Sequence, residues 1–204
     1  MLKSWKVVGI LGAILIGCDA SNSERNAPVP IAKATPLGAT DNAETRAPRS
    51  GEPTERLIGG MKFEIPPDWE EKTLSNTMIL AEFTLPGKAG PGRLTLSTAG
   101  GGTTANMDRW KDQFRRSSDD PEPKESIITV AGKDATMIDL HGAFADTTMG
   151  AAPGGGLKSN WQLLGVAIPI DSDHNYFVKL TGPSETVSAR HEEFLKFIQS
   201  ARFD

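Results

Sequence analysis

One cysteine, Cys18, serves all 204 residues, so no disulfide within the chain can hold a fold together. Any domain this sequence builds must be stabilised by its core. The position of the cysteine constrains the chain further. Lys3 and Lys6 precede an apolar run from Val7 to Ile16, and Gly17-Cys18 follows it. A charged start, an apolar stretch and a small residue at its end are the parts of an export leader. The run is about ten residues long, half of the roughly 20 that a bilayer-spanning helix needs, so it reads as a segment that is removed and not as an anchor.

Leu15-Ile16-Gly17-Cys18 resembles the lipobox of bacterial lipoprotein signals. The resemblance implies cleavage before Cys18 and acylation of its thiol by palmitate-type chains. Two or three such chains, at about 0.8 kcal/mol per buried methylene, hold a protein to a bilayer far better than one. The expected location is therefore the cell membrane or the outer membrane, lipid-anchored, with the domain facing the periplasm or the exterior. Asp19, directly after the cysteine, tilts this toward the inner membrane. The organisation expected is a signal peptide over 1–17, a tether over 18–56 and one domain over 57–204.

Asp19 to Arg56 is rich in Ala, Pro, Asn, Ser and Thr and almost devoid of large apolar side chains. Such a segment cannot bury enough surface to order itself. As a flexible coil it reaches roughly 35 Å root mean square, and Pro28, Pro30, Pro36, Pro48 and Pro53 extend it. Residues 57–204 carry twenty Asp and Glu against fifteen Lys and Arg, a net charge of −5. That balance argues against a nucleic-acid partner, which selects a basic surface, and against a domain lying flat on anionic lipid.

Met61-Lys62-Phe63-Glu64-Ile65 alternates strictly and predicts a strand with one buried face, stopped by Pro66-Pro67. Trp69 just beyond it is expected to plug the edge of the core. Met78–Leu85 and Arg93–Ser97 read as a hairpin around Pro86-Gly87 and Gly90-Pro91-Gly92. A helix is expected over Ala105–Arg116, with Met107, Trp110 and Phe114 on one face. Lys111, Arg115 and Arg116 on the other face can pair with Asp108 and Asp112. Ser117–Lys124 reads as a loop. Ile127–Val130 and Ala135–Leu140 then make a strand pair turned at Gly132-Lys133-Asp134, and Met149–Gly156 is a second glycine-rich loop. Trp161–Ile170 is nearly continuous in apolar residues, as a strand covered on both faces would be, and turns through Asp171-Ser172-Asp173 into Tyr176–Leu180. Gly182-Pro183 opens the last helix, whose buried stripe is Val187, His191, Phe194, Leu195 and Ile198, with Phe203 closing the packing. Many strands with one helix in the middle and one at the end define an α+β class, an antiparallel sheet covered by helices.

This order of elements, from a strand ending in a Pro-Trp segment to an amphipathic helix after Gly-Pro, resembles the PsbP/Mog-type α/β/α sandwich over Met61–Phe203. Gly100-Gly101-Gly102, Asn106-Met107-Asp108-Arg109-Trp110 with Gln113, and Phe177-Val178-Lys179-Leu180-Thr181-Gly182-Pro183 are similar to a group of bacterial envelope lipoproteins without an assigned activity. Members of the wider fold are mostly assembly factors, photosystem subunits or binding proteins, so the resemblance implies binding more than catalysis.

Chemical motifs are few. Gly100-Gly101-Gly102-Thr103-Thr104-Ala105 fits the loose dinucleotide pattern between a strand and a helix, but hairpins surround it and no acid-ended strand follows about 20 residues later. A weaker role survives, in which the helix start with Thr103, Thr104 and Asn106 holds a carboxylate or phosphate. The alternative is that the glycines only turn the chain and Asn106 or Thr104 caps the helix. Asp171-x-Asp173-x-Asn175 imitates the opening of a calcium loop, but Tyr176 stands where glycine is needed and Gly182 where the bidentate acid belongs. His141, His174 and His191 lack metal-ligand spacing. Asp139 and His141 share a strand face and could form an acid and base pair. No serine-nucleophile motif is present, and the lone cysteine is committed to lipid.

No cofactor and no metal is expected. The partners expected are the membrane, through lipid on Cys18, and an envelope protein or a small ligand. The leading reading is a tethered, non-catalytic binding or assembly module acting through a sheet face or the Met149–Gly156 loop. The alternative is an envelope hydrolase or transferase in which Asp139 and His141 meet the 100–106 loop, a requirement that geometry can decide.

Overall fold

The computed structural model of the chain describes residues 51–74, 77–145 and 156–204. Cys18, the leader, most of the tether and nearly all of the Met149–Gly156 loop lie outside the described residues.

Two antiparallel sheets are built. The larger runs in the order β3 (Glu70–Glu71), β4 (Ala81–Leu85), β5 (Gly92–Gly100), β10 (His174–Pro183), β9 (Lys158–Pro169), β8 (Lys133–Phe144) and β6 (Phe114–Arg115), with β7 (Lys124–Val130) also paired to β8. The smaller contains β1 (Thr54–Ile58), β2 (Met61–Ile65) and β11 (Arg202–Phe203), with β2 central. Three helices cover the large sheet: α1 (Thr103–Lys111), α2 (Ser184–Ala189) and α3 (His191–Gln199).

Alternation decides which face each side chain takes. Phe83, Leu85, Leu94, Leu96, Leu164, Val166, Ile168, Tyr176, Val178 and Leu180 point to one side. There they meet Met61, Phe63 and Ile65 of β2 and Val187, Phe194, Phe197 and Ile198 of α2 and α3 in the larger core. Ile138, Leu140, Leu163, Ala167 and Phe177 point to the other side and meet Met107 and Trp110 of α1 in a smaller core. With helices on both faces of the large sheet, the molecule is the α+β sandwich expected. Its strand β9 is buried without interruption from Gln162 to Ile168, as a strand covered on both sides must be. Trp69, 6% exposed, lies against Phe83 and Phe197 and plugs the core edge.

Four local expectations are corrected. Strand β1 begins at Thr54, inside the stretch assigned to the tether. Only Ile58 of its five residues is buried, which is why it reads as linker. Helix α1 ends at Lys111 and not at Arg116, because Phe114 and Arg115 pair with Phe144 and Ala143 at the edge of β8. Phe114 still reaches the small core, beside Phe144. Lys124–Ser126, placed in a loop or left unassigned, belong to β7. The last helix breaks at Arg190, whose φ of −96° and ψ of 3° leave the helical well. The break turns His191 out to the rim and brings Phe197 inward, 1% exposed.

Tyr176, the only tyrosine, is fully buried and donates its hydroxyl to the carbonyl of Ile58 at 3.0 Å. Burial pushes its ionisation far above the ordinary value. Tyr176→Phe keeps the ring and removes that bond, so urea unfolding should show a loss of about 1 kcal/mol. An unchanged midpoint would count against the bond.

Candidate functional site

Strand β5 ends at Gly100, and Gly101 and Gly102 take positive φ values of 90° and 76°, a region that side chains disfavour. This turn delivers Thr103 as the first residue of α1. Asn106, 8% exposed, holds the turn: its Nδ2 donates to the carbonyls of Gly102 at 2.8 Å and Gly100 at 3.3 Å. Its Oδ1 accepts from Arg109 Nη1 at 2.7 Å. Thr103 donates its hydroxyl to Asn175 Oδ1 at 3.2 Å. Thr104 is exposed.

Asn106 is therefore a brace for the loop, with its polar atoms spent on the protein itself. Neither Asn106 nor Thr104 caps the helix, since Gly102 occupies the cap position and no side chain bonds there. Of the three residues expected at this site, Thr103 and Thr104 remain beside the helix start, and Asn106 supports it from beneath. The sequence shows Asn175 only within the calcium-loop imitation and Arg109 only within the envelope-lipoprotein resemblance, and assigns neither to this site, whose surroundings they complete. The i,i+3 spacing of Asn106 and Arg109 was the available signal.

The second candidate does assemble. His141 Nε2 lies 3.2 Å from Asp139 Oδ1, and the same oxygen accepts from Gln162 Nε2 at 2.9 Å. Gln162 Oε1 in turn accepts from Ser188 Oγ at 2.8 Å. The chain of bonds crosses from β8 through β9 to α2. Gln162 was legible as the one polar side chain inside an apolar strand; Ser188 gave no signal. Chemically the array is a strut. A carboxamide cannot take the serine proton, so the hydroxyl has no base to activate it, and the carboxylate is occupied in fixing the amide.

Register separates the two candidates. Gly100 pairs with His174 at one end of β10, whereas His141 is opposite Gln162, itself opposite Gly182 near the other end. Eight residues along a strand correspond to about 27 Å. The two candidates also lie on different faces: Asp139 pairs with Leu164 of the larger core, while α1 packs on Ile138 and Leu140. The alternative in which Asp139, His141 and the 100–106 loop form one catalytic pocket does not hold.

Asp171 closes the β9–β10 turn. Its Oδ1 accepts the backbone N–H groups of Asp173 and His174, both at 2.8 Å. Those bonds, first that of Asp173, hold its carboxyl below the usual carboxylate range. Among the described residues no three His, Cys, Asp or Glu side chains are grouped to hold a metal ion. The basic cluster at and beyond the end of α1 is largely neutralised, Lys111 by Glu125 and Asp108, and Arg116 by Glu122.

These elements define an antiparallel sheet sandwiched between helices, with one polar strut and one open helix start. No protein-family model matches the sequence, and no curated protein matches it. Among solved structures, the chain is similar to the cyanobacterial PsbP protein, CyanoP, of Synechocystis sp. PCC 6803, at 11% identity over 83% of this chain and 100% of that one, with a TM-score of 0.49. It is also similar to LpqN of Mycobacterium tuberculosis, described as involved in cell envelope biogenesis, at 12% identity over 76% and 87% of the two chains and a TM-score of 0.43. Both are similarities of chain course, and neither assigns a role to any residue here.

Proposed function

We propose that the chain is a lipid-anchored protein of the bacterial cell envelope whose domain is a non-catalytic binding or assembly module. The observation that carries this reading is Cys18, the only cysteine, at the close of the apolar leader. Among the described residues, no helix is long and apolar enough to cross a membrane, so lipid on Cys18 is the attachment this reading uses. The described residues begin with Gly51, which lies against Pro67. Pro67 precedes Asp68, which pairs with Arg190 beside α2, so the chain enters at the end of the sheet where β10 gives way to α2. The glycine loop lies at the opposite end. A domain held from the first end presents the second to its surroundings, which suits capture of a partner. The separation of Asp139 and His141 from that loop weighs against the catalytic alternative.

Growth of the producing cells with an alkyne-bearing palmitate should label the membrane-fraction protein, and Cys18→Ala should abolish the label and retain the leader as added mass. A labelled Cys18→Ala chain would refute the anchor. For the binding role, a photoreactive residue at position 104 of the full chain should give one reproducible adduct in native membranes, and none at position 141. Equal or absent crosslinking at both positions would remove the assembly reading.

A further inference from the structure

One margin of the large sheet is long and unguarded. β7 pairs with β8 and, among the described residues, with no other strand. The hairpin that joins them turns on Ala131 and Gly132, with φ values of 48° and 75°, so Val130 and Lys133 form the hydrogen-bonded pair that closes a two-residue turn. Bonded and non-bonded pairs then alternate along the ladder. Lys124, Ser126, Ile128 and Val130 give their backbone groups to β8, whereas those of Glu125, Ile127 and Thr129 point away from it.

Sheet edges are ordinarily blunted by shortness, charge or proline. β3, at the other margin of this sheet, is two glutamates long, and β1 of the small sheet carries Glu55 and Arg56. β7 has seven residues, and from Ser126 to Val130 it holds neither a charge nor a proline nor a glycine. Ile127 in the middle is 65% exposed. Such a strand is built to accept another.

Its sequence also selects what it accepts, because β7 is its own complement. In an antiparallel pair of two copies centred on Ile127, all seven residues of each strand are used. Ile127 meets its counterpart, and Glu125 meets Thr129, each pair exchanging both N–H···O bonds. The Thr129 hydroxyl then stands beside the Glu125 carboxylate, donor against acceptor, and no like charges lie opposite each other. Neighbouring registers are poorer. A centre on Ser126 sets Thr129 against Pro123, which has no N–H, and a centre on Ile128 carries Glu125 past the strand to the turn residue Ala131.

We propose that the chain forms a two-fold dimer with a second copy of itself through β7, joining the two large sheets into one. The interface is isologous, so a single patch serves both copies and the assembly closes at two. It lies on β7 and uses neither the glycine loop nor Cys18.

The test places single cysteines in the full chain and applies a mild oxidant to native membranes, with the unsubstituted chain, which keeps Cys18, as background. Centred on Ile127, the pair brings the two copies of that residue to about 5.5 Å between Cα atoms, within disulfide range. The two copies of Thr129, equally solvent-facing, are offset by four residues, or about 13 Å. Ile127→Cys should therefore give a reducible species of twice the chain mass, and Thr129→Cys should not rise above background. In a density-matched neutral detergent the wild-type particle should hold two chains. Ile127→Lys, which sets two ammonium groups face to face at an exposed position, should raise the dissociation constant at least about tenfold with an unchanged urea midpoint. Equal crosslinking at 127 and 129, or none at either, would overturn the dimer, as would a wild-type particle of one chain. A 127 adduct of any other mass would give the edge to a foreign strand and overturn it as well.

Discussion

Arg190→Met should lower the unfolding free energy by about 3 kcal/mol, the cost of leaving the buried Asp68 carboxylate without its cation. The guanidinium sits at the break between α2 and α3 and uses every edge of its fork. Its Nε and Nη2 donate to the carbonyl of Pro86 at 3.0 and 2.8 Å, and its Nη1 meets Asp68 at 2.7 Å and Glu193 at 2.8 Å. The side chain of Asp68 is only 8% exposed. Burial works against the charge, but the bonds from Asp68 and Glu193 outweigh it and raise the pKa of Arg190. Glu193 also accepts from the indole of Trp69. One side chain thus pins the β2–β3 turn and the β4–β5 connection to the helical layer. Chemical denaturation would measure the loss. Arg190→Lys should recover little, because an ammonium cannot span the same fork. If Arg190→Met unfolded at the wild-type midpoint, the clamp would be ornamental.

Gly165→Ala should destabilise the domain by about 3 kcal/mol, near the upper end for overpacking by a single methyl group. Gly165 is the point on β9 where Trp110 of α1 rests: an added Cβ would lie 2.2 Å from Cζ3 and 2.7 Å from Cε3 of the indole. The indole is held edge-on by Phe177, so it has little freedom to retreat, and α1 would have to lift. The damage should be local. Amides of α1 should lose hydrogen-exchange protection well before those of β4, β5 and β10, which belong to the larger core. Compensation is available in principle, because Trp110→Leu in the same chain vacates the space. A double variant no more stable than Gly165→Ala alone would place the strain elsewhere.

Much of this architecture was legible because burial imposes simple periods. The alternation of β2 and the unbroken apolar run of β9 announced their surroundings, and so did the stripe of Val187, Phe194 and Ile198. Illegible parts are those decided by distant partners. Nothing local stops α1 at Lys111; an edge of β8 captures Phe114 from a helical pattern. The break at Arg190 follows from carbonyl and carboxylate partners that come from elsewhere in the chain. At the candidate site the glycines and Thr103 were visible, whereas Asn175 enters through a strand pairing that no spacing rule reaches. Asn106 looked like a ligand residue or a cap, because a short amide near a helix start serves either purpose on paper. Its actual acceptors, two carbonyls of the preceding loop, depend on the positive φ values that only the folded turn displays.

The pairing order of the strands has a further consequence for the life of the chain. β2 is completed by β11, the last element, and β5 by β10, from a point some eighty residues later in the sequence. The middle of each sheet therefore joins segments synthesised at widely different moments, and loop closure of this kind delays folding. Neither sheet can seal until a segment far along the chain has arrived, β10 for the large sheet and β11 for the small one. Slow closure of this sort leaves the edges of β2 and β5 open in the nascent chain for as long as their partners are missing.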